Sequence, residues 1–275
     1  MSEARYPVPF ICPVCSCPLH RANHCLRCER GHSFDIARQG YVSLVTGSGS
    51  RPVGDTAAMV QARQAFLGTG VYEPIAESIT AAIQPRQPSG LLADLGGGTG
   101  WYCAHVLDRI PTLDGVLLDV SSAAAKVAAK AHPRLSVATA DLWASIPLAD
   151  ESVNAAMVVF APRNPAEIYR VLVPGGLCCV VTPGPNHLAE LRRTYPMLGI
   201  EPEKQARLAQ QFSAFRADET SSIEYRQPFS PEDIAHVIGM GPSAFHTSVI
   251  PETTRAAESC EVTISVCLHL YIRDP

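Results

Sequence analysis

Between Leu91 and Thr182 the chain alternates short apolar runs with helical stretches. The runs "LLADL" (91–95), "GVLLDV" (115–120), "LSVATA" (135–140), "AAMVVF" (155–160) and "LCCVVT" (177–182) are apolar at consecutive positions rather than at every second one. A strand of that kind is covered on both faces, and segments such as "SSAAAKVAAKAH" and "PAEIYRVL" between the strands supply the covering helices. The pattern predicts an α/β unit built on a mostly parallel sheet. Before it, residues 55–83 read as helix interrupted by "GTG" at 68–70, with Asp55 as the expected N-cap. After it, "SPEDIAHVIGM" places Ser230 at an N-cap and Pro231 at the first helical position. The final "CEVTISVCLHLYI" (260–272) alternates, which predicts a long antiparallel strand completing the sheet.

The first 45 residues show neither periodicity. "CPVCSCPLHRANHCLRCERGH" (12–32) packs five cysteines and three histidines into 21 residues. Half of the ten cysteines lie there; Cys103, Cys178, Cys179, Cys260 and Cys267 are scattered and read as small core residues. The start "MSEARYPVPF" lacks a basic stretch leading into an apolar one, and no apolar run reaches bilayer length. A cytoplasmic protein with no membrane partner is therefore expected, and in that reducing compartment clustered cysteines point to metal rather than to disulfides. Net charge is −4, which does not advertise nucleic-acid binding, yet residues 1–63 hold seven arginines against four acids, a local excess that suits a basic patch or an ordinary solvated surface. "TGSGSRPVG" (46–54) reads as a linker. Three units follow: a metal-binding module over 1–45, a linker and helical lead-in over 46–84, and the α/β domain over 85–275.

Two ligand sets compete for the metal. Cys12, Cys15, Cys25 and Cys28 form a four-cysteine ribbon; Cys12, Cys15, Cys28 and His32 form a three-cysteine, one-histidine site. Tetrahedral zinc accepts either, and spacing alone leaves both open.

"LLADLGGGTGWY" sets a glycine-rich loop between the first strand of the α/β unit and a helix, the nucleotide position of a doubly wound sheet. A dinucleotide fingerprint counted from Gly96 requires glycine at 101, where Trp101 stands. The run is instead Asp94-x-Gly96-x-Gly98-x-Gly100, which resembles class I S-adenosylmethionine methyltransferases. That resemblance makes Asp119, at the end of "VLLDV", the acid for the ribose hydroxyls and Asp141, in "ATADLW", the group facing adenine. Read alone, each acid is equally a strand-end or helix-cap residue.

Over nearly its whole length the chain resembles the large-subunit (23S) rRNA guanine-N1 methyltransferases, of the tylosin-resistance type found in macrolide producers. The matching stretches are "CPVC" with "CERGHSFDIARQGYVSL", "GDTAAMVQARQAFLGTGVYEPI", "DLGGGTGWY", "LDVSSAAAKVAAK" and "FAPRNPAEIYRVLVPGGLCCVVTPGPNHLAEL". The resemblance implies a class I (Rossmann-like) methyltransferase with a small N-terminal zinc-binding module, using S-adenosylmethionine and zinc. It implies methylation of guanine N1 in a 23S rRNA hairpin, with macrolide resistance as the consequence. It places zinc on Cys12, Cys15, Cys28 and His32, leaving Cys25 as runner-up and Cys17, His20 and His24 as bystanders. It adds Tyr72, Thr99 and His187 to the cofactor residues Asp94, Gly96, Gly98, Gly100, Asp119 and Asp141, and it carries an expectation of a homodimer. Arg21, Arg27, Arg30 and Arg38 make an RNA grip by the module physically reasonable.

Amino-group methyltransferases of this class often carry N/D-P-P-Y/F after the fourth strand, where this chain has "FAPR". Phe160, Pro162 and Arg163 thus line the expected substrate mouth, Phe160 as a stacking ring or a packing residue, and no catalytic base is named by the sequence. The competing reading is a small-molecule methyltransferase whose zinc segment is a stabilising cap. A cofactor-free RNA-binding protein is disfavoured by the intact cofactor motifs.

Overall fold

The computed structural model of the chain describes residues 9–46, 53–86, 88–197, 199, 204–241 and 258–274. The N-terminal segment forms a three-stranded antiparallel sheet of β1 (His20–Ala22), β2 (Cys25–Arg27) and β3 (Ser33–Asp35). β4 (Val42–Ser43) then leaves this ribbon and joins the large sheet. Two helices follow, α1 (Ala57–Gly68) and α2 (Glu73–Ile83), separated where the glycines at 68 and 70 break the helical pattern.

The alternating part comprises β5 (Gly90–Leu95), α3 (Trp101–Arg109), β6 (Leu113–Asp119), α4 (Ser122–Ala128), β7 (Leu135–Thr139), β8 (Val153–Val159), α5 (Pro165–Val171) and β9 (Leu172–Pro183). It continues through α6 (Ala189–Thr194), α7 (Lys204–Gln211), β10 (Arg216–Phe229), α8 (Pro231–Gly239) and β11 (Cys260–Ile272). The eight-stranded order is β10-β11-β9-β8-β5-β6-β7-β4, parallel from β4 through β9 and antiparallel at β11 and β10. Apolar side chains bury on both faces: Leu92, Leu117, Met157 and Cys179 on one, Ala93, Val116, Val158 and Cys178 on the other. This is the mostly parallel class I methyltransferase sheet expected from consecutive apolar runs.

Two expectations change in detail, and a third holds. Thr56, not Asp55, caps α1, its hydroxyl accepting from the Met59 amide at 3.3 Å, because Asp55 is committed to an ion pair with Arg63. Ser230 does cap α8, in a reciprocal box with Asp233. β11 is antiparallel but does not end the sheet: β10, whose polar, largely exposed sequence gave no strand signal, pairs along its outer side.

The ribbon is not a separate bead. Phe10 bridges Leu148, and the Ile11 amide donates to the Pro147 carbonyl at 3.0 Å, so the buried Phe10, Leu19 and Leu26 share a core with Ile146 and Leu148. Among the described residues no helix is long and apolar enough to cross a membrane.

Candidate metal centre and cofactor cleft

Two tight turns deliver the metal-binding side chains. In the first, the Ser16 amide donates to the Cys12 carbonyl and the Cys12 amide to the Cys17 carbonyl, both at 2.8 Å, with Ser16 in the left-handed region at φ 58°. In the second, the Cys28 amide donates to the His32 carbonyl at 3.1 Å, and Gly31 takes φ 87°, which a glycine adopts without strain. The ligand atoms of Cys12, Cys15, Cys28 and His32 all lie within 4.8 Å of one another. Cys15 Sγ and Cys28 Sγ are 3.7 Å apart, and His32 Nδ1 stands 3.5 Å from Cys12 Sγ and 3.4 Å from Cys28 Sγ. Zinc bonds of about 2.3 Å to sulfur and about 2.0 Å to nitrogen give tetrahedral edges of roughly 3.5 to 3.8 Å, so these four residues fit the ion. Cys25 is engaged elsewhere, its thiol donating to the Ala22 carbonyl at 3.1 Å. Burial pushes the Cys17 thiol up to about 11, which keeps it protonated. His20 and His24 lie exposed on the hairpin, as do Arg21, Arg27, Arg30 and Arg38.

The second site forms where the parallel strands end, the edge at which doubly wound sheets bind ligands. After β5, Gly96, Gly98 and Gly100 all adopt left-handed φ values of 75°, 56° and 76°, a backbone course that side chains with a Cβ resist. Beneath them a Cβ at Gly97 would lie 2.3 Å from Asp94 Oδ2, so the acid that opens the motif packs directly under the loop. Both Asp94 carboxylate oxygens are buried with no hydrogen-bond partner among the described residues. Burial, with the nearby Asp119 charge, raises its pKa well above the carboxylate range.

Asp119 closes β6 and reaches back to the loop. Its Oδ2 accepts from the Gly98 amide at 2.9 Å and its Oδ1 from the Ser121 amide at 2.8 Å. Burial raises its pKa, opposed by those two amide bonds. Each oxygen retains a lone pair for a hydroxyl donor, which fits a ribose. Asp141, after β7, spends Oδ1 on the Trp143 amide at 2.9 Å. Thr99 is buried in the loop.

The third part of the cleft is aromatic. Tyr72 Oη stands 3.1 Å from His187 Nε2, and the Ser265 amide donates to His187 Nδ1 at 3.3 Å. A ring nitrogen that accepts an N–H carries no hydrogen, so the His187 proton sits on Nε2 and points at Tyr72. Burial and the Arg192 charge hold His187 down at about 4, so it is neutral. The Tyr72 oxygen therefore accepts, and its own O–H is free to point toward the cleft. Phe160, at the end of β8, stacks on His187 with centroids 5.7 Å apart, lies 6.1 Å from Tyr72, and remains 40% exposed. Its φ of 54° is a strained backbone for a residue with a Cβ, and such strain gathers at functional sites. Pro162 is exposed beside it, whereas the half-buried Arg163 departs from the expectation: its charge acts on Cys178, His269 and Tyr271, on the face of the sheet opposite Tyr72, and its Nε has no partner among the described residues.

The residues expected at the cofactor thus converge, with Asp141 in a local turn at the rim. Arg63 of α1 was not legible from the sequence; its Nη1 lies 3.0 Å from where a Gly98 Cβ would stand. Nothing in the spacing marks an arginine on a mostly polar helical face. The buried Tyr102 hydroxyl, unpartnered among the described residues, was likewise unmarked.

The model "RlmA, N-terminal", a zinc ribbon, matches residues 10–46, and a "Methyltransferase domain" model matches residues 92–176. A 23S rRNA (guanine(748)-N(1))-methyltransferase of Streptomyces fradiae is 41% identical over 262 residues, covering 93% of each chain. The chain belongs to the 23S rRNA guanine-N1 methyltransferase family. A Micromonospora griseorubida protein assigned as a 23S rRNA (guanine-N(1)-)-methyltransferase is 42% identical over 280 residues, covering 94% of this chain and 95% of that one. A chain from the Haloferax volcanii complex of the Trm112 methyltransferase activator with a methyltransferase superposes with a TM-score of 0.52 at 18% identity. It covers 82% of this chain and 100% of that chain, and at this identity the likeness is one of fold. S-adenosylmethionine and zinc are the cofactors of this family member, the first seated on the methyltransferase domain and the second in the ribbon.

Proposed function

We propose that this chain transfers a methyl group from S-adenosylmethionine to N1 of a guanine in a hairpin loop of 23S rRNA, with macrolide resistance as the biological outcome. The observation that carries the reading is the combination in one chain of a four-ligand ribbon bearing exposed arginines and a cofactor cleft, related over more than nine-tenths of its length to guanine-N1 methyltransferases. A small-molecule methyltransferase has no need of the ribbon's arginines. The site of action on this reading is the cytoplasm, and a second copy of the chain is not required by it.

In this reading Cys12, Cys15, Cys28 and His32 hold zinc. Residues 1–45 recognise the RNA, 46–84 lead in, and 85–275 perform the transfer; β4 ties the first unit to the last, because Val42 and Ser43 pair with Ala138 and Thr139. Tyr72, Asp94, Gly96, Gly98, Thr99, Gly100, Asp119, Asp141 and His187 form the cofactor cleft. S-adenosylmethionine, when bound, supplies the sulfonium methyl. The protein's contribution is then mainly placement of an in-line nucleophile. Phe160, tilted 29° from His187 and 40% exposed, offers its open side to a guanine turned out of its stack, with the exposed Pro162 beside it. His187 is a donor rather than a base: Nε2 is protonated and Nδ1 is occupied. The Tyr72 hydroxyl, oriented by His187, is a donor for the cofactor or for the developing charge on the guanine carbonyl oxygen.

The test is incubation of the zinc-loaded protein with labelled donor and either unmethylated 23S rRNA or a metabolite pool, followed by position-resolved mapping. A single methylated guanine N1 is expected. Label in the metabolites alone would establish the small-molecule alternative. Replacing Arg21, Arg27, Arg30 and Arg38 by glutamine, which leaves the core shared by ribbon and sheet domain in place, is expected to reduce RNA methylation strongly while cofactor binding persists.

A further inference from the structure

We infer that Arg63 is the receptor for the carboxylate of the cofactor's amino-acid portion, a role resting on the cofactor reading above. Arg63 projects from the middle of α1 onto the glycine loop, with Nη1 3.0 Å from the position a Gly98 Cβ would occupy. The loop residues it covers are those on which the amino-acid end of S-adenosylmethionine is expected to lie. Its neighbours there are acids and hydroxyls. Asp55 pairs with the guanidinium, Asp119 is bonded to the Gly98 amide, and Asp94 lies under Gly97.

A second observation points to the same place. The Tyr102 hydroxyl, on the first turn of α3 after Gly100, is buried without a partner among the described residues, and the groups that act on it electrostatically are Tyr72, Tyr225, Arg63 and Asp94. An arginine and an unpartnered phenol, both beside the loop, make a donor set for an anion. The ligand carries two cationic centres, the sulfonium and the ammonium, which the acids suit, and one carboxylate, which they repel. Arg63 answers that one group.

The guanidinium has the means to do so. Nη2 donates to the Met240 carbonyl at 2.9 Å, which fixes the plane of the fork, while Nη1 is shared with Asp55. Asp55 thereby holds the arginine over the loop and keeps its charge compensated. Arg63 is 27% exposed, enough to meet a ligand entering the cleft and not so exposed that its field is lost to solvent.

The experiment compares two ligands by calorimetry on the full, zinc-loaded chain. S-adenosylhomocysteine carries the carboxylate; 5′-methylthioadenosine keeps the adenosine and sulfur but lacks the amino acid. Arg63→Gln is expected to weaken S-adenosylhomocysteine by about 10- to 100-fold, the worth of a charge-assisted pair, and to change 5′-methylthioadenosine by less than about 2-fold. Asp55→Asn breaks the ion pair yet leaves the guanidinium, and is expected to bind S-adenosylhomocysteine at least as well as the unmodified chain. Equal weakening of both ligands by Arg63→Gln, or no weakening of either, would overturn the assignment. So would a loss in Asp55→Asn equal to that in Arg63→Gln, since it would make the pair a strut between α1 and residue 240. Failure of the unmodified chain to bind either ligand would instead strike the cofactor reading itself, and this inference with it.

Discussion

The ribbon and the sheet domain reach order by opposite means. The ribbon buries few large apolar side chains, Phe10, Leu19 and Leu26, with Val42 and Leu44 buried only where the chain joins the large sheet, and its three strands are three residues long. Such a segment lacks the apolar mass to hold itself, and four converging side chains replace a core with a metal. The sheet domain instead buries both faces of its parallel strands. Several buried polar groups there lack a partner among the described residues, and two of them, the Asp94 carboxylate and the Tyr102 hydroxyl, flank the glycine loop, while the strained Phe160 closes a neighbouring strand. In the ribbon the functional residues are the structure. In the sheet domain they are exceptions that the structure tolerates.

The largest expected effect follows from the first half of that contrast. Cys28→Ser removes a ligand from a site whose metal-binding free energy is on the order of 10 kcal/mol, so the variant should lose its zinc and the ribbon its fold. Cys25→Ser only exchanges the thiol that donates to the Ala22 carbonyl for a hydroxyl that can donate in its place, a matter of about 1 kcal/mol or less, and should retain a full zinc equivalent. Metal analysis beside near-ultraviolet circular dichroism reads both. If Cys25→Ser loses zinc while His32→Ala keeps it, the four-cysteine set is the true one.

The same contrast explains what the sequence disclosed. Cysteines at fixed turn spacings narrow the metal site to two sets before any coordinates, because turn geometry is local. The glycine loop and Asp119 are legible for a related reason: one motif at one strand end, another 25 residues on. His187 and Tyr72 came only from family resemblance, since their 3.1 Å contact spans 115 residues and each alone looks like packing. Arg63 and β10 were not legible at all. An arginine on a polar helix carries no periodic signal, and β10 opens on five exposed positions with only Ile223, Tyr225 and Phe229 as large apolar residues on its inward set, an alternation too short and too polar to mark a strand.

Asp119→Ala tests the sheet domain's own exception. Truncation removes a buried carboxylate that ties the Gly98 and Ser121 amides and is poised to take two ribose hydroxyls. Cofactor affinity should fall by roughly 1.5–3 kcal/mol for each ribose bond lost, with zinc content unchanged. Unaltered affinity in calorimetry of a folded variant would remove Asp119 from the cleft.

Acid separates the regions differently. The folded-state pKa of His187 is held down to about 4, below the 6.5 or so of an unfolded histidine, so the unfolded chain binds the extra proton between those values. The contribution is therefore fully present above about pH 6.5 and is lost as pH falls toward 4. It amounts to at most about 3 kcal/mol. The ribbon also weakens in acid as its ligands protonate, so the measurement is a difference: thermal melts of the unmodified chain and of His187→Gln between pH 4 and 7. The unmodified sheet transition should fall more steeply with acid. Parallel curves would mean that His187 does not titrate in this way.

The smallest effect asks whether the aromatic cleft is held by the sheet domain alone. Tyr72→Phe keeps the ring packing against Phe66, at a centroid distance of 4.9 Å, and deletes only the oxygen that accepts from His187. The His187 Nε2–H is then buried without a partner, at a cost of about 1 kcal/mol or somewhat more, which for a domain of this size lowers the melting temperature by roughly 2–4 °C. That loss should appear in the sheet transition and leave zinc content and the ribbon's chelator sensitivity as they were, because Tyr72 packs with the core on the opposite face from the one the ribbon shares. A Tyr72→Phe chain that released zinc more readily would show that the cleft and the ribbon are mechanically coupled, and the division of labour drawn between them would have to give way to a single cooperative unit.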